Sequence, residues 1–308
     1  MQIIILNILF IIVFFIIGNY FFNIALNPNV SKKYIMRSVT QEDINEENTN
    51  KIIGERWIKV FAKEEEIISK DNIKLHGYKI VNPIRKSNVW VILVHGYMGS
   101  SYEMSGFAKE YINMGYNVFL IDLRAHGKSE GKYIGMGWKD RLDLKEWINK
   151  ICTDEPECKI ILYGVSMGAA TVMMTTGEKL PQNVKACIED CGYSSVYDQF
   201  KMMLESIPRF FANFILISSD CVSKIRIGYS YNEASSVKQI KKANIPILFI
   251  HGDKDKFVPY IMLGKLYKAA NYPKQRLIIE NAGHVESAKI NSKLYWRTVR
   301  RFINKYLK

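Results

Sequence analysis

The chain has 308 residues, 48% of them hydrophobic, so it can bury a sizeable core, and its composition excludes a disordered or fibrous protein. Lysine and arginine outnumber aspartate and glutamate by 43 to 30, which gives a formal net charge of +13. The basic residues are scattered along the chain without a nucleic-acid-binding motif, so we expect a solvated basic surface and no nucleic-acid partner.

The N-terminal segment is apolar and carries no charged side chain before Lys32. Residues 3–26 are long enough to cross a bilayer as a helix, which takes roughly 20 residues. We therefore predict a transmembrane anchor over residues 1–26. A cleaved signal peptide and a buried core helix are the alternatives. However, no basic residue precedes the run, no clear cleavage site follows it, and no amphipathic stripe marks it.

The flanks of this run carry the information on its orientation. Lys32, Lys33 and Arg37 follow it, and no basic residue precedes it. Because basic flanking residues favour the cytoplasmic side, the sequence predicts a single-pass membrane protein with a cytoplasmic globular part. The polar residues 27–54, rich in Asn, Lys and Glu, are predicted to form a linker.

The rest of the chain alternates between strand-like and helix-like segments. Two β-type runs flank Asp71 and Asn72, which predicts an antiparallel hairpin. Six short apolar runs then cover residues 89–96, 117–123, 159–164, 184–190, 245–252 and 275–280. Strands without polar and apolar alternation, separated by helices, predict an α/β fold whose mostly parallel sheet is covered by helices on both faces.

One interval, from Tyr193 to Ala243, contains no evident strand and is unusually apolar in FKMMLESIPRFFANFILI. We interpret residues 193–243 as a helical cap over the carboxyl end of the sheet, because long insertions often form lids. An ordinary peripheral pair of helices is the alternative. The residues expected to give an apolar, adaptable pocket lining are Met202, Met203, Phe210, Phe211 and Phe214.

The segment YGVSMG interrupts an apolar run directly before the helix-compatible run AATVMMTT. Gly164 and Gly168 allow close backbone packing around a strained strand-to-helix turn, which lifts the Ser166 hydroxyl above the sheet edge. A serine hydroxyl needs a base to take its proton and a third group to orient that base. The segment therefore predicts that Ser166 is a nucleophile.

Among the five histidines, His284 stands alone in NAGH, four residues after the last predicted strand, and we predict that it is the base. The others, His76, His95, His126 and His251, lie in the hairpin, at strand ends or in the loop RAHGKSEG. The orienting acid should also follow a strand. We favour Asp255 in HGDKDKFVP, with Asp253 turning or capping that loop and Asp190 as a second alternative.

These motifs together resemble the α/β-hydrolase superfamily, whose chain order of nucleophile, acid and base they share. The motifs are VILVHGYMGSS, DLRAHGKSEG, GVSMG, HGDKDKFVP and NAGH. The closest likeness is to the bacterial branch of monoacylglycerol-lipase-like esterases and serine-aminopeptidase-like members. The resemblance covers roughly residues 60–308, and we predict an α/β-hydrolase domain over residues 55–308 with the cap insertion at about 193–243.

The resemblance also implies roles for further residues. The backbone N–H groups of Tyr97 and Met167 would form an oxyanion hole, and Asp122, Arg124 and His126 would have structural roles. Catalysis would proceed by serine attack and an acyl-enzyme intermediate, with no metal or organic cofactor. In the sequence itself, the five cysteines (Cys152, Cys158, Cys187, Cys191 and Cys221) form no CxxC pair, and no HExxH motif is present.

The expected substrate is a lipid-like or small carboxylic ester, because an apolar insertion and a membrane anchor suit acyl chains. An amide or peptide is the alternative, since the same three side chains cleave both. A catalytically silent, membrane-tethered interaction module is a third possibility. Such a module would be expected to have lost at least one residue of the predicted site.

Overall fold

The computed structural model describes residues 1–32 and 41–307, with side chains described for residues 1–32 and 49–307. Within these ranges, the strands are β1 (Lys63–Ile68), β2 (Lys74–Ile80), β3 (Val89–Val94), β4 (Asn117–Ile121), β5 (Lys159–Val165), β6 (Val184–Asp190), β7 (Ile247–Gly252) and β8 (Lys274–Ile279). The helices are α1 (Gln2–Leu26), α2 (Gln41–Phe61), α3 (Ser105–Asn113), α4 (Asp140–Asp154), α5 (Met167–Thr175), α6 (Val196–Met203), α7 (Arg209–Ile227), α8 (Ser236–Ile240), α9 (Ile261–Ala269), α10 (Ser287–Ile290) and α11 (Ser292–Tyr306).

The strands form one sheet in the order β1-β2-β4-β3-β5-β6-β7-β8. Strands β3 to β8 pair in parallel, whereas β2 pairs with β1 and β4 antiparallel. The six predicted runs and the hairpin are confirmed, and Asn72 takes a left-handed φ of 62° in the hairpin turn. The predicted α/β-hydrolase fold class, with helices on both faces of a mostly parallel sheet, is also confirmed.

The central strand β3 shows why its sequence lacks alternation. Trp90, Ile92 and Val94 pack into one core with α4 and α5, whereas Val91 and Leu93 pack into a second core with α3 and α11. All six residues of β3 are buried because helices cover both faces of the sheet. The carboxyl ends of the parallel strands therefore meet at one edge, which is the edge that carries the site.

The insertion between β6 and β7 forms α6, α7 and α8. Helix α6 lies over the carboxyl edge, where Phe200 and Met203 line the same pocket as Ser166. Helix α7 lies outside α6 and packs along α1, with the Phe214 ring 5.4 Å from that of Phe14. The insertion thus covers the site through α6, while α7 forms an outer layer.

Helix α1 has two parts with different surroundings. Most large apolar side chains from Ile3 to Ile16 are exposed by 40–75%. In contrast, Phe22, Ala25 and Leu26 are fully buried in the core of the globular part. The predicted anchor, residues 1–26, therefore includes a final segment that packs inside the folded domain.

The segment predicted as a linker, residues 27–54, differs from that prediction in its second half. Residues 33–40, with Lys33 and Arg37, lie outside the described residues. From Gln41 onward the chain is helix α2, which runs past residue 54 to Phe61. Gly54 and Ile58, one helical turn apart, are buried against the globular part. The second half of the predicted linker is therefore helical.

Candidate active site

Ser166 lies on the turn between β5 and α5 with φ 54° and ψ −117°, a conformation that non-glycine residues rarely adopt. Two close backbone approaches make the turn possible. A Cβ atom on Gly164 would lie 2.3 Å from the Gly168 carbonyl oxygen, and one on Gly168 would lie 2.1 Å from the Val94 carbonyl oxygen. Neither position accepts a side chain without movement of the main chain, which agrees with the predicted need for glycine.

Loops after β5, β7 and β8 bring Ser166, Asp255 and His284 together at the carboxyl edge of the sheet. His284 Nε2 lies 2.8 Å from Ser166 Oγ, and His284 Nδ1 lies 2.7 Å from Asp255 Oδ2. An ionised carboxylate can only accept, so Nδ1–H donates to Asp255 and Nε2 accepts from the serine hydroxyl. The arrangement leaves a basic nitrogen facing the Ser166 proton.

The surroundings of Asp255 keep it ionised. Asp255 Oδ1 accepts from the N–H groups of Phe257 and Val258 at 2.9 and 2.8 Å. Burial by itself would raise the pKa of Asp255, but hydrogen bonds with His251 and His284 lower it well below its ordinary value. A carboxylate that stays charged at neutral pH can accept the Nδ1–H of His284 and hold the ring in place.

The two other acids considered in the sequence have different partners. Asp253 Oδ1 accepts from the Asn281 N–H at 2.7 Å, so Asp253 shapes the turn, in agreement with its predicted role. Asp190 Oδ2 accepts from the Tyr295 hydroxyl at 2.9 Å, and burial raises the pKa of Asp190 to about 6. Asp255 is the acid that contacts His284 Nδ1.

The loop after β3 carries Tyr97 towards Ser166. Tyr97 and Met167 both line the pocket that contains Ser166. Met167 is the first residue of α5, where backbone N–H groups of a helix have no partner within the helix. Both residues therefore lie beside Ser166 in the folded chain.

Two buried histidines hold this loop in place. His95 Nε2 accepts from the Leu123 N–H at 3.0 Å, and His126 Nε2 accepts from the Met98 N–H at 3.1 Å. Burial lowers the pKa of both rings, that of His126 to about 3. They are therefore neutral at physiological pH and act as hydrogen-bond acceptors in the scaffold.

The neighbouring loop is fixed by charged groups, as the resemblance implied. Asp122 accepts from the Lys128 N–H at 3.0 Å, and Arg124 donates to Asp143 at 2.7 Å and to Asp71 at 2.8 Å. Arg124 thereby links this loop to α4 and to the hairpin turn. These contacts, with that of His126, give all three predicted residues structural partners.

The pocket around Ser166 is lined by Tyr97, Met136, Ser166, Met167, Tyr193, Gln199, Phe200, Met203 and Phe257. Of the five residues expected from the insertion, Met203 is among them. The expectation was wrong for Phe210 and Phe211, which are 77% and 58% exposed, and for Phe214, which packs against α1. These three lie on α7, one layer outside the pocket. Met202 is partly buried beside the core and does not line it.

Five lining residues were not predicted from the sequence, namely Met136, Tyr193, Gln199, Phe200 and Phe257. Only Phe257 carried a usable signal, because it lies two residues after Asp255 in the predicted acid loop. The other four belong to the loop before α4 or to the beginning of the insertion. No motif identifies such residues before the chain is folded.

Cys191 lies next to the site, where its sulfur and the side chains of Asp255 and His284 fall within 4.8 Å of one another. Cysteine binds metals as a thiolate. Burial raises the pKa of the Cys191 thiol well above its ordinary value, and the Asp255 and His284 atoms already bond to each other. The three groups therefore do not fit a thiolate metal centre, and Cys191 is a buried residue behind the site.

A serine on a strained strand-to-helix turn, with acid and histidine loops at the carboxyl edge of a mostly parallel sheet, defines the class of α/β hydrolases. The chain is a member of the α/β-hydrolase superfamily. The model of a family described as serine aminopeptidase, S33, matches residues 85–225. A relative in Bacillus subtilis, the protein YqkD, is 27% identical over 274 residues, which cover 87% of this chain and 88% of the relative.

Solved structures give the same class. The esterase Pf2001 of Pyrococcus furiosus is 25% identical, with a TM-score of 0.65 over 81% of this chain and 94% of the esterase. The acylaminoacyl peptidase of Pyrococcus horikoshii is 18% identical, with a TM-score of 0.59 over 80% of this chain and 41% of the peptidase, and it shows the fold alone. Esterase and peptidase neighbours both occur, so the comparisons support a hydrolase without separating the two.

Proposed function

We propose that the protein is a serine hydrolase that cleaves a carboxylic ester, with Ser166 as nucleophile, His284 as base and Asp255 as orienting acid. The observation that carries this proposal is the continuous chain of hydrogen bonds from Asp255 through His284 to Ser166, at 2.7 and 2.8 Å. The partners of the three groups in this chain are those that the proposed roles require.

In the proposed reaction, His284 Nε2 takes the Ser166 proton while Oγ attacks the acyl carbonyl carbon. The carbonyl oxygen becomes negative and is stabilised by the Tyr97 and Met167 N–H groups, each contributing about 3 kcal/mol. The tetrahedral intermediate collapses, His284 gives its proton to the leaving alkoxide, and an acyl-enzyme remains. Water then attacks with the same histidine as base, which releases the acid and restores the Ser166 hydroxyl.

The pocket favours an ester with an apolar acyl group. Its lining side chains are mostly aromatic or methionine, and none of the lining residues is charged. An aminopeptidase must bind a free ammonium group, which is normally met by a carboxylate. Amide hydrolysis is kept as the second candidate because the matching family model is described as a serine aminopeptidase.

Two measurements test the proposal. A fluorophosphonate probe should label the purified full-length protein at Ser166, and Ser166→Ala should abolish labelling, whereas Ser101→Ala, at a buried serine outside the pocket, should retain it. Absence of labelling in folded protein would favour the silent interaction module. p-Nitrophenyl esters of short and long chains, compared with aminoacyl anilides, then separate esterase from peptidase activity. Higher kcat/KM on anilides would reverse the assignment.

We also propose that α1 anchors the protein to a membrane. Among the described residues, α1 is the one helix long and apolar enough to cross a bilayer. Its exposed part, roughly 16 residues at about 1.5 Å each, is shorter than the hydrocarbon core of roughly 30 Å. The exposed Phe210 and Phe211 begin α7, which packs beside this part of α1, and they extend the apolar surface.

The proposed orientation places the hydrolase domain on the cytoplasmic side, because basic residues follow the apolar run. An alkaline phosphatase fused after Lys308 should be inactive in bacterial cells, and a green fluorescent protein fused at the same position should fluoresce. A strongly active phosphatase fusion would place the domain on the other side of the membrane.

A further inference from the structure

Tyr97 connects the candidate oxyanion hole with the N-terminal helix. Its backbone N–H group is the proposed donor, while its side-chain hydroxyl donates to the Ala25 carbonyl oxygen at 2.6 Å. Ala25 is fully buried and lies in the last turn of α1. These two residues are 72 positions apart in the sequence, so the contact exists only in the folded chain.

The carbonyl oxygens at the end of α1 accept hydrogen bonds from residues outside the helix. Lys32 Nζ donates to the carbonyl oxygens of Ile24 and Asn27 at 2.7 and 2.6 Å and lies 5.8 Å from the centre of the Tyr97 ring. A cation suits the negative end of a helix dipole. Burial lowers the pKa of Lys32 to about 8, but the ammonium group is still mostly charged at neutral pH.

Further contacts fix α1 against the pocket. The Ile134 N–H donates to the Leu26 carbonyl oxygen at 2.8 Å. The Phe21 ring packs edge-on against Phe200, which lines the pocket, with 5.6 Å between ring centres. Gly18 lies so close to α7 that a Cβ atom there would be 2.5 Å from the Ser218 carbonyl carbon. The position of the last turns of α1 is thus defined by the domain.

The Tyr97 loop needs such external support. Met98, the next residue, has a φ of 61°, a left-handed conformation that costs a non-glycine residue about 1–2 kcal/mol. The loop is held at this point by the His126 ring on one side and by the Tyr97 hydroxyl on the other. Loss of either contact would let the Tyr97 N–H turn away from the position of a developing oxyanion.

We infer that the last turns of α1 are part of the active site, because Ala25 holds the Tyr97 hydroxyl and thereby positions the Tyr97 N–H for catalysis. Tyr97 is then a positioning residue through its side chain as well as an oxyanion donor through its backbone. This inference rests on the proposed function. It makes α1 more than an anchor, since hydrolysis at full rate requires α1 to stay docked on the domain.

The first test uses Tyr97→Phe in the full-length protein in detergent. This variant keeps the ring and the backbone N–H but loses the hydrogen bond to Ala25. We expect kcat per fluorophosphonate-titrated site to fall about 10-fold, less than on deletion of an oxyanion donor, while KM changes little. The affinity for a trifluoromethyl ketone, which forms a negatively charged adduct with serine, should fall by a similar factor.

The matched control is Tyr229→Phe, which also removes a buried tyrosine hydroxyl bound to a carbonyl oxygen, that of Gly135, at 2.9 Å. Within the described part of the chain, no hydrogen bond or ring contact joins Tyr229 to the Tyr97 loop, so kcat per titrated site should stay within about twofold of wild type. Counting titrated sites removes any effect of a smaller folded fraction. An unchanged kcat and inhibitor affinity in Tyr97→Phe would overturn the inference.

A second variant should disturb the bond between Tyr97 and Ala25 without changing either residue. Gly18→Leu should push α1 away from α7 and lower kcat per titrated site, although residue 18 itself does not line the pocket. Combined with Tyr97→Phe, it should add little further loss, because both act through one contact. Losses that multiply in the double variant would contradict the inference. If wild type itself is not labelled by the fluorophosphonate, the proposed function fails, and this separates the two hypotheses.

Discussion

Ser166 adopts a backbone conformation that is strained for a serine, and its neighbours compensate for that strain. The turn is closed by Gly164 against Gly168 and by Gly168 against the Val94 carbonyl group. Strain at a reactive residue persists only where the surrounding structure fixes it. The site therefore requires glycine at positions 164 and 168, because the lack of side chains there lets β3, β5 and α5 approach one another closely.

A substitution at Gly168 tests this dependence. In Gly168→Ala the new Cβ atom meets main-chain atoms of β3, which cannot move aside easily, so we expect destabilisation by about 1–3 kcal/mol and loss of fluorophosphonate labelling. Thermal unfolding and labelling measure the two effects. The control is Gly264→Ala on α9, where nothing lies within 4 Å of the new atom. That variant should be slightly stabilised, by about 0.5–1 kcal/mol, and equal behaviour of the two would contradict the explanation.

Helix α7 packs against two other helices, α6 and α1. One side packs on α6, while Phe214 and Ser218 face α1. Phe210, Ile217 and Ile225 remain exposed by more than half. If α1 anchors the protein as proposed, these exposed apolar side chains, which continue the surface of α1, should contact lipid.

A fluorescent label at position 210 measures this interface. With Cys221, the exposed cysteine, changed to serine, Phe210→Cys labelled with an environment-sensitive dye should show blue-shifted emission in vesicles. Nitroxide groups on lipid acyl chains should quench it, because the side chain lies in hydrocarbon. The matched control is Ile84→Cys, equally apolar and 78% exposed, which precedes β3 at the opposite edge of the sheet. Equal emission from both positions would exclude lipid contact by α7.

For the whole molecule, buried acids make stability depend on pH. Burial raises the pKa of Glu189 to about 8, of Asp140 to about 7 and of Asp190 to about 6. The folded state therefore retains protons that the unfolded chain releases near pH 4. The corresponding stability is complete below about pH 4 and is lost as pH rises through the folded pKa values. Asp255 acts in the opposite direction, because its pKa is lowered and its contribution is lost only in acid.

Glu189→Gln should weaken this dependence. The amide oxygen can still accept from the Gly192 N–H, a bond of 2.9 Å in the native chain, but the side chain no longer ionises. Between about pH 5 and 8.5, the melting temperature of Glu189→Gln should fall by several degrees less than that of wild type. Differential scanning fluorimetry measures this slope. Glu280→Gln, at an exposed position after β8, serves as the control. Identical slopes in Glu189→Gln and wild type would show that Glu189 is not the group responsible.

The parallel sheet and the three residues proposed for catalysis could be predicted from the amino-acid sequence alone. Strands buried on both faces are uniformly apolar, and parallel strands bring their carboxyl ends to one edge, so short motifs after β5, β7 and β8 had to converge there. The glycines around Ser166 could also be predicted to be necessary, because their spacing reflects the packing of a single local turn.

The apolar residues that line the pocket, the position of α7 and the contacts at the end of α1 could not be predicted from the sequence and required the folded chain. Phe200 and Phe211 are chemically alike, yet one borders Ser166 and the other faces outward. Residue type cannot distinguish them, because the position of each helix and the direction of each side chain are set by contacts between distant segments. The bond from Tyr97 to Ala25 is of the same kind, for it depends on how a helix docks and leaves no pattern in either segment.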